Sequence, residues 1–150
     1  MASILVIGNG AAGNSAAEAI RQADPDVSII MVAREELPEY SACALPDYLS
    51  GWVSREQLFI KRWHDYHNSN IVMLGGRDVV RIDIGQKRLV TDREEITYDR
   101  LILATGSRAF VPPVPGHDLP GNFVVKTVAD IDAIRAHRPQ RALVVGSGNI

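Results

Sequence analysis

The chain has 150 residues, 46% of them hydrophobic, which is enough apolar material for one domain with a real core. Its 16 basic and 18 acidic residues give a net charge of -2, without a run of Lys or Arg that would follow a nucleic-acid backbone. Its apolar runs reach about six residues, far short of the roughly 20 that span a bilayer. The first residues also lack the basic start of a secretory signal. We therefore expect a cytoplasmic protein that binds neither nucleic acid nor membrane.

The N-terminal part of the chain predicts a strand, a glycine turn, a helix and a second strand. Residues 3–7 are a continuous apolar run, typical of a strand buried on both faces of a parallel sheet. Small and apolar residues recur at helical spacing over 11–23, and an Asp-Pro pair then ends the helix. The apolar run 27–32 predicts the second strand, which a right-handed crossover makes parallel to the first. We expect half of a nucleotide-binding unit.

The remaining elements are shorter. Helical segments are predicted near Cys43 and within 55–68, and a third helix starts at the capping box of Thr127. The predicted strands are a buried one at 71–75, three at hairpin spacing at 79–84, 87–91 and 95–98, a buried one at 101–106 and a last one at 142–146. The three at hairpin spacing indicate a small antiparallel excursion. The proline-rich residues 110–121 predict a linker.

The sequence GNGAAG follows the first strand and opens the first helix, and it satisfies G-x-G-x-x-G. Gly8 permits the tight turn, Gly10 lets the backbone approach a pyrophosphate, and Gly13 allows close packing of the helix on the strand. The amides near Ala11 and Ala12 would donate to phosphate oxygens. This motif therefore predicts a dinucleotide site.

Dinucleotide-binding folds place an acidic residue at the end of the second strand, where it bonds a ribose hydroxyl. Here Ala33 lies at that position, and Arg34, Glu35 and Glu36 follow it. We predict Glu35 as the ribose ligand and count Arg34 among the cofactor-binding residues. The alternative is that these neighbouring carboxylates are simply solvated.

The single cysteine, Cys43, cannot form an internal disulfide. It is either a small buried hydrophobic residue or a reactive thiol. At a helix start, the helix dipole would favour the thiolate, which is the nucleophilic form. Other residues are interpreted more simply: His64 and His67 as surface residues rather than half of a metal site, and Trp52, Trp63 and Tyr66 as packing residues.

Three segments in this order, GNGAAG at the start, LILATGS at 101–107 and GSG at 146–148, resemble the pyridine nucleotide-disulfide oxidoreductase superfamily. The resemblance covers the whole chain. It implies an α/β fold with a Rossmann-like FAD-binding domain, built on a parallel sheet with a small antiparallel excursion, and the start of a second Rossmann-like NAD(P)H-binding domain. The implied boundaries are 1–110 for the first segment of the FAD-binding domain, 111–125 for the linker and 126–150 for a truncated NAD(P)H-binding domain.

The resemblance also implies further cofactor contacts. The first glycine motif would hold FAD, and the A-T-G segment would close over the flavin nucleotide, where small residues let backbone lie against a ligand. One residue of the segment 77–83 would meet the adenine through its backbone, unless it is an ordinary strand residue. The second glycine motif would hold NAD(P)H. The residues added in this way are Val79, Ala104, Thr105, Gly106, Gly146 and Gly148.

Residues 39–51, EYSACALPDYLSG, resemble the S-F-x-x-C-G-L-P-Y-Y stretch of the coenzyme A disulfide reductase and NADH oxidase group. The matching residues are Cys43, Leu45, Pro46 and Tyr48, and the departures are Glu39, Ala44 and Asp47. The C-x-x-x-x-C pair of glutathione reductase-type enzymes has no counterpart. The resemblance implies that Cys43 is the catalytic residue and cycles through a mixed disulfide, a persulfide or a sulfenic acid.

The implied enzyme passes electrons from NAD(P)H through FAD and Cys43 to a small-molecule disulfide, a polysulfide or oxygen. Its full-length form would be a homodimer, and this chain would be an N-terminal fragment that is inactive alone. Two alternatives stay open. One is a reductase of a protein electron carrier, similar to rubredoxin and nitrite reductase flavoproteins, in which Cys43 has no redox role. The other is a non-catalytic dinucleotide-binding module.

Overall fold

The computed structural model describes residues 2–146. They form two compact units, one made of residues 2–40 and 60–106 and the other of residues 41–59 and 107–146. The first unit contains both β-sheets and two helices, and the second contains two helices joined by irregular chain. The predicted boundaries at 110 and 125 stay a prediction.

Four parallel strands form the main sheet of the first unit, in the order β3-β2-β1-β7. Their bounds are β1 (Ser3–Ile7), β2 (Ser28–Val32), β3 (Ile71–Leu74) and β7 (Arg100–Leu103). The side chains of Val6, Met31 and Val32 are completely buried. This burial explains the apolar runs of β1 and β2. The strands predicted at 3–7, 27–32, 71–75 and 101–106 are all present, but the expected burial is incomplete in the last two, where Val72 and Leu103 are more than half exposed.

Two hydrophobic clusters cover the main sheet. One includes Val6, Ile29 and Met31 together with Ala17 of helix α1 (Ala11–Ala23) and Tyr66 of helix α3 (Trp63–Asn68). The other includes Leu5, Ile7 and Val32 together with Leu89 and Ile96 of the small sheet and Tyr98, which follows it. The small sheet is antiparallel, with β4 (Val79–Asp83), β5 (Arg88–Thr91) and β6 (Glu95–Thr97). The predicted α/β fold with an antiparallel excursion is thus confirmed.

The second unit is built on helix α2 (Leu45–Ser50) and helix α4 (Val128–His137). The hydroxyl of Tyr48 donates to Asp132 Oδ1 at 2.7 Å and so joins the two helices. The predicted capping box of α4 is confirmed, because Thr127 Oγ1 accepts from the amide of Asp130 while the Asp130 carboxylate accepts from the amide of Thr127. A 3-10 turn, Ala42–Ala44, precedes α2, and another, Glu56–Leu58, follows it.

Two sequence expectations are wrong. Residues 142–146 form no strand, and Leu143, Val144 and Val145 are at least four-fifths exposed. A strand needs a hydrogen-bonded neighbour, and this run has none among the described residues. Trp52 was expected to pack but is 84% exposed, because it follows Gly51, whose φ of 86° ends helix α2 and turns the chain outward.

Helix lengths are modest throughout the described chain. None of the helices in residues 2–146 is long and apolar enough to cross a membrane.

Candidate functional site

The glycine turn follows β1 directly and packs against the end of β7. Gly8 has a φ of +113°, and a Cβ there would lie 2.0 Å from the carbonyl oxygen of Ala104. A Cβ at Gly13 would lie 2.0 Å from the carbonyl oxygen of Gly8. Both positions therefore require glycine for the fold itself, as predicted for the tight turn and for close helix packing.

Gly10 differs from its two neighbours in the motif. Its φ of -83° and ψ of -175° suit any residue, and a Cβ there would have nothing within 4 Å. The fold gives no reason for glycine at this position, whereas a ligand that touches the backbone would. Gly10 is also the N-cap of α1, whose first turn contains no acidic residue. An anion would therefore meet exposed helix amides near Ala11 and Ala12 without opposing charge.

The A-T-G segment lies beside this turn. The amide of Ala104 donates to the carbonyl oxygen of Ile7 at 2.8 Å, which extends the pairing of β7 with β1 by one residue. Thr105 and Gly106 then leave the sheet and are exposed, and Gly106 has a φ of +68°. The structure thus brings together two segments that the sequence predicted separately.

The loop after β2 reaches the start of the small sheet. Arg34 Nε binds Asp78 Oδ1 at 2.7 Å, and the amide of Arg77 donates to the carbonyl oxygen of Ala33 at 3.0 Å. These bonds hold the loop beside Val79, which begins β4. Arg34 therefore links two predicted cofactor-binding segments through its side chain.

Glu35, the predicted ribose ligand, is half-buried and has one oxygen engaged. The hydroxyl of Tyr40 donates to its Oε2 at 2.8 Å. This bond fixes the orientation of the carboxylate. Tyr40 was not predicted as a partner of Glu35, because the two residues lie in a loop, where spacing follows no regular periodicity.

A buried polar network lies beneath the glycine turn, and the sequence analysis did not identify it. The hydroxyl of Tyr66 donates to Asn9 Oδ1 at 2.7 Å and accepts from the amide of Glu39 at 3.0 Å. Asn9 Nδ2 donates to the carbonyl oxygen of Leu37 at 2.8 Å. Asn14 Nδ2 donates to Asn9 Oδ1 at 2.9 Å. Tyr66 is thus a packing residue, as predicted, and also a hydrogen-bonding one.

Two groups of this region have perturbed acidities. Burial raises the pKa of the Tyr66 hydroxyl above its usual value, so the hydroxyl keeps the proton that it donates. Burial also raises the pKa of Glu39, which is 6% exposed, although the positive charge of Lys61 opposes the shift. Glu18 adds to the rise in the Glu39 pKa and forms an ion pair with Lys61.

Cys43 belongs to the second unit, in the 3-10 turn that precedes α2, and its side chain is exposed. It therefore does not serve as a buried hydrophobic residue in the described chain. The helical segment predicted near Cys43 is present as this 3-10 turn followed by helix α2, which begins at Leu45. Cys43 thus precedes the first turn of the helix instead of starting it.

The other predicted residues separate into three cases. Gly146 has a φ of +103° and an open environment, whereas Gly148 lies outside the described residues. His64 and His67 are exposed, as predicted, and residues 2–146 contain no cluster of acidic, His or Cys side chains that would hold a metal ion. Trp63 is 46% exposed and lies with its ring centroid 6.2 Å from that of Tyr66.

The sequence of this chain is similar to those of known proteins. The model of the family described as pyridine nucleotide-disulphide oxidoreductase matches residues 2–150. An NADH oxidase of Methanocaldococcus jannaschii is 34% identical over 97% of this chain and 35% of its own length. The assimilatory nitrate reductase electron transfer subunit of Bacillus subtilis is 32% identical over 97% of this chain and 19% of its own length.

A solved structure supports the fold as well. The NAD-dependent persulfide reductase from A. fulgidus superposes with a TM-score of 0.84 at 31% identity, over 90% of this chain and 26% of that one. The chain therefore spans about a third or less of the proteins that it resembles.

Proposed function

The chain belongs to the pyridine nucleotide-disulphide oxidoreductase family, and from this membership we propose that it supplies the first part of the FAD site of an NAD(P)H-dependent oxidoreductase. FAD and NAD(P)H are cofactors of this family. The observation that carries the proposal is the open space at Gly10, where a Cβ would meet nothing within 4 Å although both neighbouring motif glycines are tightly packed. A dinucleotide pyrophosphate explains why this position needs glycine.

The residues of the first unit fit FAD at three places. The backbone at Gly10 and the amides near Ala11 would hold the pyrophosphate, and Glu35 Oε1 is left to accept from a ribose hydroxyl while Oε2 accepts from Tyr40. The backbone at Val79 would meet the adenine. Bound at these residues, FAD would supply the redox chemistry that carries electrons from NAD(P)H to an acceptor.

We propose a sulfur compound or oxygen as the acceptor, with Cys43 as the catalytic residue. With a disulfide, the Cys43 thiolate attacks one sulfur, the other sulfur leaves as a thiolate, and a mixed disulfide results. Two electrons from NAD(P)H and one proton then release the bound thiol and restore the Cys43 thiolate. The exposed side chain of Cys43 supports this role, as does the resemblance of Cys43, Leu45, Pro46 and Tyr48 to the pattern of single-cysteine reductases. The similar protein from A. fulgidus is a persulfide reductase.

The test uses the full-length protein and its Cys43→Ser variant. Released cofactor should be FAD by mass, and both proteins should contain it in equal amounts. The variant should lose NAD(P)H-driven reduction of disulfides and polysulfides, because serine lacks the soft nucleophile, while flavin reduction by NAD(P)H continues. Released NAD or FMN would contradict the cofactor assignment. Unchanged turnover of the variant on disulfides, polysulfides and oxygen would contradict the role of Cys43.

The second candidate function is reduction of a protein electron carrier. It is favoured by the similarity to the electron transfer subunit of assimilatory nitrate reductase. This function predicts that Cys43→Ser reduces the carrier at the parent rate, so the same variant separates the two candidates.

The remaining parts of the proposal concern the whole protein. We propose that it is a cytoplasmic homodimer, and that an NAD(P)H-binding domain begins after the linker 111–125 with Gly146 and Gly148 in its glycine motif. Sedimentation of the full-length protein as a monomer would contradict the dimer.

A further inference from the structure

We propose that Tyr66 is a positioning residue of the FAD site, because its hydroxyl holds Asn9 and thereby fixes the glycine turn to the loop that follows β2. The inference rests on the proposed function only in that FAD is the ligand. The hydroxyl of Tyr66 is not needed for the packing of its ring, so its hydrogen bonds need another explanation.

The first step is the position of the hydroxyl between two segments of the site. It donates to Asn9 Oδ1 at 2.7 Å and accepts from the amide of Glu39 at 3.0 Å. Asn9 stands between Gly8 and Gly10 in the glycine motif, and the amide of Glu39 lies in the loop that also contains Glu35. One hydroxyl therefore joins the predicted phosphate-binding segment to the predicted ribose-binding segment.

Asn9 is the second step, because its side chain makes the same connection again. Its Nδ2 donates to the carbonyl oxygen of Leu37 at 2.8 Å. Its Oδ1 accepts from Asn14 Nδ2 as well as from Tyr66. Asn14 also donates to the carbonyl oxygens of Asn9 at 3.0 Å and Gly10 at 3.2 Å. The turn is thus held by side chains of α1 and α3 at the residue that precedes Gly10.

The ring and the hydroxyl of Tyr66 have different roles. The ring of Tyr66 belongs to the cluster of Val6, Ile29 and Met31, and phenylalanine would preserve that packing. Only the hydroxyl reaches the glycine turn. A turn that is ordered before binding loses less conformational entropy when a ligand arrives, so the bond should strengthen FAD binding.

The experiment compares Tyr66→Phe with Tyr98→Phe in the full-length protein. Tyr98 is 7% exposed and belongs to the cluster on the other face of the sheet, and its hydroxyl makes no bond to Asn9. We expect about five- to tenfold weaker FAD binding and faster FAD release for Tyr66→Phe, as for loss of one buried hydrogen bond, and parental values for Tyr98→Phe. In an Asn9→Ala background, Tyr66→Phe should have a smaller effect, since the partner is gone.

A second measurement does not depend on FAD. In the apo protein, the amide of Asn14 donates to the carbonyl oxygen of Gly10 at 3.0 Å, and its hydrogen exchange should accelerate in Tyr66→Phe but not in Tyr98→Phe. Parental FAD affinity in Tyr66→Phe would overturn the inference and leave the proposed function intact. If the parent protein binds no FAD, the proposed function fails. In that case, unchanged hydrogen exchange of the Asn14 amide in Tyr66→Phe would overturn the positioning role by itself.

Discussion

Replacing Gly10 by alanine should weaken FAD binding strongly without weakening the fold. The backbone at Gly10 is extended, and a Cβ would meet nothing within 4 Å, so the apo protein accommodates the methyl group. The methyl group would nevertheless occupy the space through which a pyrophosphate approaches the backbone of the turn. The substitution therefore separates the cofactor requirement from the folding requirement.

Both effects have an expected size. Alanine is a poorer N-cap than glycine, but it also restricts the unfolded chain, which stabilises by about 0.4–1 kcal/mol. These opposing contributions should leave the free energy of unfolding within about 0.5 kcal/mol of the parent value. Loss of one charge-assisted hydrogen bond to phosphate costs about 1.5–3 kcal/mol, which corresponds to roughly 10- to 150-fold weaker FAD binding.

The matched control is Gly13→Ala, in the same motif. Its Cβ would lie 2.0 Å from the carbonyl oxygen of Gly8, so this variant should lose several kcal/mol of stability, on the order of the largest single-substitution effects. Urea unfolding of the apo full-length proteins measures the stability, and titration of flavin fluorescence measures the affinity. The reasoning is refuted if Gly10→Ala binds FAD like the parent, or if it destabilises the apo protein as much as Gly13→Ala does.

Two further predictions concern carboxylates of the first unit. Burial raises the pKa of Glu39; the charge of Lys61 lowers this pKa and the charge of Glu18 raises it further. Because the pKa is higher in the folded protein than in the unfolded chain, protonation of Glu39 stabilises the fold at low pH, and this stabilisation is lost as the pH rises through the raised pKa. Glu39→Gln should therefore increase the free energy of unfolding more at about pH 7 than at about pH 4, and an equal change at both pH values in urea titrations would contradict this. Tyr40→Phe removes the bond that orients Glu35 and should weaken FAD binding about fivefold, which equilibrium dialysis would detect; parental affinity would show that Glu35 needs no such partner.

The sequence predicted the elements that depend on local pattern. The central strands β1 and β2 contain apolar runs that are largely buried, and the small sheet has hairpin spacing. The structural roles predicted for Gly8 and Gly13, a tight turn and close helix packing, agree with the structure, where a Cβ at either position would lie 2.0 Å from a backbone carbonyl oxygen. The order of the strands in the sheet is known only from the structure, since the sequence of a strand does not show which strand lies next to it.

The network of Asn9 and Tyr66 could not be predicted for a related reason. The two residues are 57 positions apart, and each has a common interpretation by itself, one as a turn residue and the other as a packing aromatic. Only the packing of α3 on the sheet brings the hydroxyl to the turn. Polar networks of this kind depend on tertiary placement, which local periodicity does not contain.

The failed strand at 142–146 and the successful prediction of β7 show what an apolar run does indicate. Both segments have the composition of a buried strand, but only β7 has a partner: Ile7 pairs with Leu103 in parallel register. That pairing places the next residues, Gly8 and Ala104, side by side. An apolar run therefore indicates that a segment can pair as a strand. The predicted site lies where the pairing of two strands brings together the residues that follow them. In this chain the predicted FAD site depends on the register of β1 with β7, because a shift of one residue would separate the glycine turn from the A-T-G segment.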